Sequence, residues 1–300
     1  MKIVFSRKGF DTENGGVPSP IFPDETMLSL PIPRKSPHSY GSIKSPKEEF
    51  RHLGEIVEQL THFRMSDSCL AHLDPDLDRD SISRADGWRG IFGQSGAAQT
   101  ELKTVGQGDV FLFFGQFRKT EIGPNGHLRY APRAPVEHVI FGWLRVGDVY
   151  RLPSERAQVP TWGGYHPHLN FQIEPNPNAI YVAAERLDLG SALPGWGVFR
   201  KFRAELRLSH PDGLEDKKGK RRIMASRWRL PSWMNPWEDA TNPRTPLTHH
   251  REPSSWKGSD ESFATLQTQS RGQEFVLDAD KYPEAWPWAR GLVEKCSVDV

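Results

Sequence analysis

The sequence lacks three features that would place it in a specialised class. Only two of its 300 residues are cysteines, Cys69 and Cys296, which argues against a disulfide framework or a zinc site. No run of residues approaches the roughly 20 apolar positions of a membrane span, and the first residues do not form a secretory signal. The formal net charge is only +1, which excludes a strongly basic protein that holds nucleic acid by charge alone. We therefore expect a reducing, cytoplasmic setting and no membrane partner.

Proline and glycine are instead abundant, with 25 and 26 residues. They predict many loops with short elements between them, and long irregular loops near residues 12–46 and 231–260. The length allows residues 1–300 to form a single domain around one core. The ten tryptophans exceed the needs of a small core, so some of them are expected at a surface or pocket.

Strands are predicted where apolar residues run together or alternate with polar ones. These segments cover residues 2–6, 109–117, 138–146, 179–183, 198–208 and 223–230. One helix is predicted to begin after Ser45, since Pro46 and Glu48 complete an N-terminal capping box, and a second covers residues 281–296. Strands outnumber helices, so the expected class is α+β, with a central mixed or mostly antiparallel sheet, few helices and many loops.

The densest functional signal is an acidic segment in which polar side chains occupy alternate positions. Those positions are His72, Asp74, Asp76, Asp78 and Asp80. If the segment is extended, all five side chains lie on one side, and a divalent cation, a cluster of Arg and Lys, or water must relieve their repulsion. An EF-hand is excluded, because Arg79 and Ala85 replace its turn glycine and its closing glutamate. We expect His72, Asp74 and Asp76 as metal ligands, and His72 and Asp74 as catalytic groups.

The end of the first predicted strand suits a phosphate. Ser6, Arg7 and Lys8 offer a hydroxyl and two cations beside the accessible backbone of Gly9, and Asp11 is a third candidate catalytic group. The alternative is a capped strand end in which Arg7 pairs with Asp11. Because the acidic segment needs compensation, we expect this strand end and the acidic segment to share one cleft.

Residues 93–99 form a glycine-rich stretch that could hold an anion at a following helix, with Gln94 and Gln99 as substrate-binding candidates. The stretch lacks the lysine of a P-loop and the spacing of a dinucleotide fingerprint. A tight turn into a helix is therefore the favoured interpretation. Elsewhere, residues 200–207 and 217–222 hold most of the positive charge that could meet a nucleic-acid backbone.

Several motifs, taken in order, resemble one known family. They are KIVFSRKGFD at residues 2–11, GGVPSPI at 15–21, HLDPDL at 72–77, GQSGAAQ at 93–99 and GDVFLFFG at 108–115. Together they resemble the third of the bacterial and phage families called nucleotide modification associated domains, over most of the chain. The resemblance implies a role beside enzymes that hypermodify DNA bases, with a nucleotide or DNA as the partner.

The predicted strands at 109–117 and 138–147 also resemble, more faintly, the small barrels of the PUA and EVE type, which read modified bases in a pocket. In such a non-catalytic reader, Trp143, His166 and His168 are the candidates for contact with the base. Stacking on aromatic rings needs no specific hydrogen bonds.

A metal enzyme is the other interpretation. His72 and Asp74, followed much later by His166 or His168, match the order of the two-histidine, one-carboxylate set of iron(II) oxygenases. No arginine or lysine stands between His168 and Ala183 to hold the carboxylate of 2-oxoglutarate, which favours a magnesium- or manganese-dependent transfer reaction. We expect an enzyme acting on a nucleotide or DNA base somewhat more than a reader, with Mg, Mn or Fe as its metal.

Overall fold

The computed structural model describes residues 1–170, 177–215, 221–239, 241–259, 262–269 and 272–297. Its strands are β1 (Lys2–Arg7), β2 (Ser19–Ile21), β3 (Ile91–Ser95), β4 (Val110–Ile122), β5 (Leu128–Tyr130), β6 (Glu137–Leu152), β7 (Asn178–Ala183), β8 (Trp196–Val198), β9 (Leu214–Glu215), β10 (Arg221–Arg222), β11 (Arg227–Pro231), β12 (Trp256–Ser259), β13 (Phe263–Gln267) and β14 (Glu274–Asp278). Its α-helices are α1 (Leu53–Leu60), α2 (Gly96–Glu101), α3 (Pro167–Asn170) and α4 (Ala285–Cys296).

Most of the strands belong to one mixed sheet. Its main path runs β14-β1-β4-β6-β7-β3, with β2 and β5 attached to β4 and β8 attached to β6. Strand β1 pairs in parallel with β4 and antiparallel with β14. A register shift between Val146 and Asp148 divides β6, so that its first half pairs with β4 and its second half with β7. The predicted α+β class with a mixed sheet is confirmed.

The sheet is open, since in the described part of the chain no backbone ladder joins β3 to β14. The described strands therefore form an open sheet and not a closed small barrel of the PUA and EVE type. Side chains nevertheless connect the two end strands, because Gln94 Nε2 on β3 donates to Glu274 Oε1 on β14 over 2.5 Å. The sheet thus curves until its edges meet through this pair.

The core explains why the apolar runs form strands. Phe92, Phe111, Phe113 and Tyr181 are all fully buried, and the rings of Phe92 and Phe113 lie 5.0 Å apart in an edge-to-face arrangement. Such aromatic pairs add to the free energy gained by burying their area. This packing holds β3, β4 and β7 together beneath the site described below.

The first helix is shorter than predicted. It begins at Leu53 and not at Pro46, because Ser45 Oγ accepts the Lys47 backbone N–H and so caps a turn. The backbone of residue 44 also bridges to residue 52, which keeps the intervening segment looped. The apolar positions from Leu53 to Leu60 are buried as expected, and the C-terminal helix forms at α4.

The prediction of a strand over 198–208 is wrong beyond Val198. Residues 204–206 form a 3-10 turn, because the neighbouring backbone binds separate loops: Phe202 N–H donates to Glu25, and Leu208 N–H donates to His138. The expected long loops contain short strands as well, β2 within 12–46 and β12 within 231–260. No helix among the described residues has the length and apolar character needed to cross a membrane.

Candidate functional site

Two histidines and one aspartate converge where the acidic segment meets β3 and α3. Donor atoms of His72, Asp74 and His168 all lie within 4.8 Å of one another. Asp74 Oδ2 is 3.3 Å from His168 Nε2 and 3.9 Å from His72 Nε2. We call these three residues the His-Asp-His cluster. One ion could contact all three after small side-chain rotations.

Hydrogen bonds fix the orientation of both histidine rings in the cluster. His72 Nδ1 lies 3.1 Å from the Lys35 carbonyl oxygen, and His168 Nδ1 lies 2.9 Å from Asn178 Oδ1. A backbone carbonyl can only accept, so the proton of His72 lies on Nδ1 and its Nε2 keeps a lone pair. The Nε2 atoms of both rings point at Asp74 Oδ2. This is the arrangement in which second partners hold metal-ligating histidines.

The second carboxylate oxygen of Asp74, Oδ1, is fixed by hydrogen bonds. Asp74 Oδ1 accepts the Gly93 backbone N–H at 2.8 Å and lies 3.2 Å from His166 Nε2. His166 is fully buried, and its Nδ1 accepts the His168 backbone N–H at 3.4 Å. His166 therefore positions the carboxylate, while Oδ2 remains directed at the cluster.

The pKa values of His72 and Asp74 suit metal ligation. Burial lowers the pKa of His72 to about 4, against the attraction of Asp74, so the ring is neutral at pH 7. Burial alone would raise the pKa of Asp74, but hydrogen bonds and charge from His166 and His168 hold it well below its usual range. A neutral imidazole and an ionised carboxylate are the forms that bind a cation.

Gly93 makes this packing sterically feasible. A Cβ atom at Gly93 would lie 2.5 Å from the His168 ring and 2.9 Å from the His166 ring. The favoured interpretation of residues 93–99, a turn into a helix, agrees with β3 leading directly into α2. The glycine itself admits two histidine rings and supplies an N–H to Asp74.

The rest of the acidic segment does not join the cluster. Arg84 donates to both oxygens of Asp76 at 2.6 Å, and Tyr165 also donates to this carboxylate. Burial raises the pKa of Asp76, and the charge of Arg84 opposes that rise. Asp78 pairs with Arg200 at 2.6 Å, and Asp80 is exposed. The expected single acidic face is thus divided, and we leave Asp76 out of the candidate ligand set.

A cleft of about 640 Å³ opens over the cluster. Its lining includes His72, Asp74 and His168 from the cluster and Arg7, Lys8, Asp11 and Gln94 from the other candidates, with Arg34, Lys35, Gln116 and Gln273. The structure therefore places the end of β1 and the cluster in one cleft. Such a volume lies within the range of small-molecule sites.

Other candidate residues have structural partners. Ser6 Oγ and Lys8 Nζ both donate to buried Glu274, at 3.1 and 2.7 Å, and Asp11 accepts backbone N–H groups from its own turn. Two more candidates are buried away from the cleft. Gln99 bonds to Tyr181, and Trp143 packs on Phe199 in the core with its indole N–H on a backbone carbonyl.

Basic residues between 200 and 207 are largely engaged in ion pairs. Arg200 pairs with Asp78, Lys201 with Asp24, and Arg207 with Glu137. The described part of the predicted lysine-rich turn is the hairpin of β9 and β10, and residues 216–220 lie outside the described residues. The described residues between 200 and 207 therefore offer a phosphate backbone less unpaired charge than the sequence suggested.

Sequence reasoning did not identify Arg34, Lys35, Asn178 or Glu274. Arg34 and Lys35 stand in a proline-rich loop without any periodic signal, and their place in the cleft comes from the Lys35 bond to His72. Asn178 and Glu274 act through hydrogen bonds to residues distant in sequence. Only the pairing of strands makes such partners neighbours.

Comparison with known proteins assigns the chain to a family. The family model of nucleotide modification associated domain 3 matches residues 2–278. Searches of curated proteins and of solved structures gave no match. The family match includes every residue of the His-Asp-His cluster and of the cleft around it. The chain therefore belongs to the nucleotide modification associated domain 3 family.

Proposed function

We propose that this protein is a metal-dependent enzyme that acts on a nucleotide or a nucleotide base within the cleft. The observation that carries the proposal is the His-Asp-His cluster, in which two oriented Nε2 atoms and one carboxylate oxygen face each other. Membership of the family indicates a role in nucleotide modification. Catalytic metal sites usually combine buried, prearranged metal ligands with a cleft large enough for a substrate.

The donor atoms favour one group of metals. Two imidazole nitrogens and one carboxylate oxygen suit iron(II) and manganese(II) better than magnesium, which prefers oxygen ligands alone. Three protein ligands also leave coordination positions for substrate. A divalent ion bound there would supply a Lewis acid at the floor of the cleft, and iron(II) would add a redox couple.

The residues around the cluster have roles that do not depend on the identity of the metal. His166 and Gly93 hold Asp74 in place, and Asn178 and the Lys35 carbonyl orient the two ligand histidines. The cleft also contains cations from the first 35 residues. A carboxylate or phosphate of a substrate can therefore be held although no cation follows His168 closely in the sequence.

The alternative of a base reader receives less support. Among the described residues that line the cleft, Phe10 is the one aromatic side chain besides the two histidines. Trp143 is buried in the core, so it offers no stacking surface. Stacking platforms need exposed rings.

Metal content tests the proposal directly. The protein is purified in the absence of oxygen and of chelators, and its metal content is measured by elemental mass spectrometry. It should hold close to one equivalent of iron or manganese. Asp74→Asn should lose the metal, whereas Asp80→Asn, which changes an exposed carboxylate of the same segment, should keep it. Wild-type protein that binds none of Fe²⁺, Mn²⁺, Mg²⁺ or Zn²⁺ on titration would overturn the proposal.

A further inference from the structure

We propose that Arg34 and Lys35 form the binding site for a phosphate monoester, so that the ligand of the cleft carries a terminal phosphate. The inference rests on the proposed function for the identity of the cleft as a substrate site. It adds the chemical group by which the substrate is held and the residues that hold it.

Arg34 and Lys35 are cations without a described counter-ion. Both side chains are exposed and line the cleft, and neither forms an ion pair or side-chain hydrogen bond with any residue that the structure describes. Most exposed arginines and lysines of a protein are free to move away from a ligand. These two are different because their backbone is fixed at the site.

The backbone of this loop is anchored to the His-Asp-His cluster. Lys35 presents its carbonyl oxygen to His72 Nδ1 at 3.1 Å, while the Arg34 and His72 backbone N–H groups both donate to the Ile32 carbonyl. The segment that orients a candidate metal ligand therefore also carries the two cations. An anion bound by them lies beside the cluster.

The remaining charges of the cleft are largely committed. Lys8 is neutralised by Glu274, Asp11 caps its own turn, and Asp74 belongs to the cluster. Glu13 is the one other acidic side chain among the described lining residues, and it is exposed. Arg7 also lines the cleft, but it is only partly exposed and already has a partner. The exposed positive charge available to a ligand is therefore the pair of cations at Arg34 and Lys35.

Two adjacent free cations match a group with two negative charges. A phosphate monoester approaches a charge of −2 near pH 7 and offers three acceptor oxygens, whereas each phosphodiester carries one charge. Arginine adds a planar fork that fits phosphate oxygens. Gln116 and Gln273 line the same cleft with no side-chain hydrogen bond to a described residue, and can meet the polar edge of a base.

Calorimetric titration of the purified full-length protein tests the site. The probes are the four 2′-deoxynucleoside 5′-monophosphates, the matching deoxynucleosides, and a short single-stranded oligonucleotide with and without a 5′-phosphate. Wild-type protein should bind at least one monophosphate at least about tenfold more tightly than its nucleoside. If the natural source of the phosphate is a DNA end, the phosphorylated oligonucleotide should bind more tightly still.

The matched variants are Arg34→Ala/Lys35→Ala and Arg251→Ala/Lys281→Ala. The second pair removes the same charge from exposed residues that do not line the cleft. The first pair should lose the preference for the monophosphate, and the second should retain it. Equal binding of nucleoside and monophosphate by wild type, or an unchanged preference in the first pair, would overturn the inference. A monophosphate preference with equal binding of both oligonucleotides would support it and assign the phosphate to a free nucleotide.

Metal content separates this result from the proposed function. Arg34→Ala/Lys35→Ala should hold as much metal as wild type, because the Lys35 contact to His72 is made by the backbone. Monophosphate selectivity in a protein that binds no metal would support the phosphate site and reject the metal enzyme. Metal binding without any phosphate preference would have the opposite meaning.

Discussion

Asp74 and Asp76 lie two residues apart in one segment, yet their surroundings differ in kind. Asp74 is surrounded by imidazoles that also have other partners, whereas Asp76 is held on both oxygens by the guanidinium of Arg84. A carboxylate paired with arginine has its charge satisfied inside the fold. Asp74 Oδ2 instead faces the Nε2 atoms of His72 and His168, so identical residues at alternate positions divide into one that is paired inside the fold and one that we propose as a metal ligand.

The largest expected effect is on stability, and it comes from isosteric substitutions at these two positions. Asp76→Asn leaves buried Arg84 without its counter-ion, so we expect a loss of about 3–5 kcal/mol in the free energy of unfolding. Asp74→Asn keeps an oxygen for Gly93 and His166, so its loss should stay below about 1.5 kcal/mol. Urea denaturation of the metal-free proteins measures both, and equal losses would contradict the division.

The second prediction is that metal binding stabilises the wild type and depends on Asp74. Fe²⁺ or Mn²⁺ at 100 times its dissociation constant should stabilise wild type by about 2.7 kcal/mol. Asp74→Asn should show no such gain in a thermal melt under anaerobic conditions. Asp80→Asn is the control and should respond as wild type does; a full response from Asp74→Asn would remove Asp74 from the ligand set.

The hydrogen-bond partner of His168, Asn178, provides a finer test of the proposed metal site. Asn178→Leu removes the oxygen that orients the His168 ring, so we expect metal affinity to fall by about 10–100-fold. Competition with a chromogenic chelator measures this affinity. Asn170→Leu is a useful comparison, since the Asn170 amide bonds to backbone carbonyls in α3 and contacts no ligand atom of the cluster; its metal affinity should change little.

The smallest effect should come from Asp78, which is also paired with an arginine but nearer the surface. Its ion pair with Arg200 leaves both side chains about one-fifth exposed, so Asp78→Asn should cost no more than about 1 kcal/mol. Urea denaturation at low and high salt checks this. A loss as large as that of Asp76→Asn would show that burial is not what separates the two pairs.

Local patterns in the sequence predicted the strands well and the helix start poorly. The continuous apolar run of residues 109–117 is a buried strand in the structure, because such a run has few alternatives to a sheet interior. The helix start was predicted from a capping box at Ser45, Pro46 and Glu48, but the helix begins at Leu53. The segment is held as a loop by the bridge between Lys44 and His52 and by the bond from the Lys44 backbone N–H to the Ser81 carbonyl, and the contact with Ser81 lies outside any short window of sequence.

The candidate site could likewise be predicted only in part from the sequence. The spacing of His72 and Asp74 identified two members of the cluster, but His166 and His168 were equivalent in the sequence. Their roles differ only because Asn178 bonds to one ring while the other is buried behind Asp74. Arg84 lies close to Asp76 in the sequence, yet its choice among four aspartates was not apparent without the turn between them.

The junction of Gln94 with Glu274 has a consequence for how the protein is made. Glu274 also binds Ser6 and Lys8, and β14 covers the outer edge of β1. During synthesis the first strand can pair with β4 early, but its other edge stays bare until residue 278 has left the ribosome. Over this interval the nascent chain presents an unpaired strand edge and an incomplete cleft, so premature termination before β14 should yield aggregates rather than a partly folded monomer.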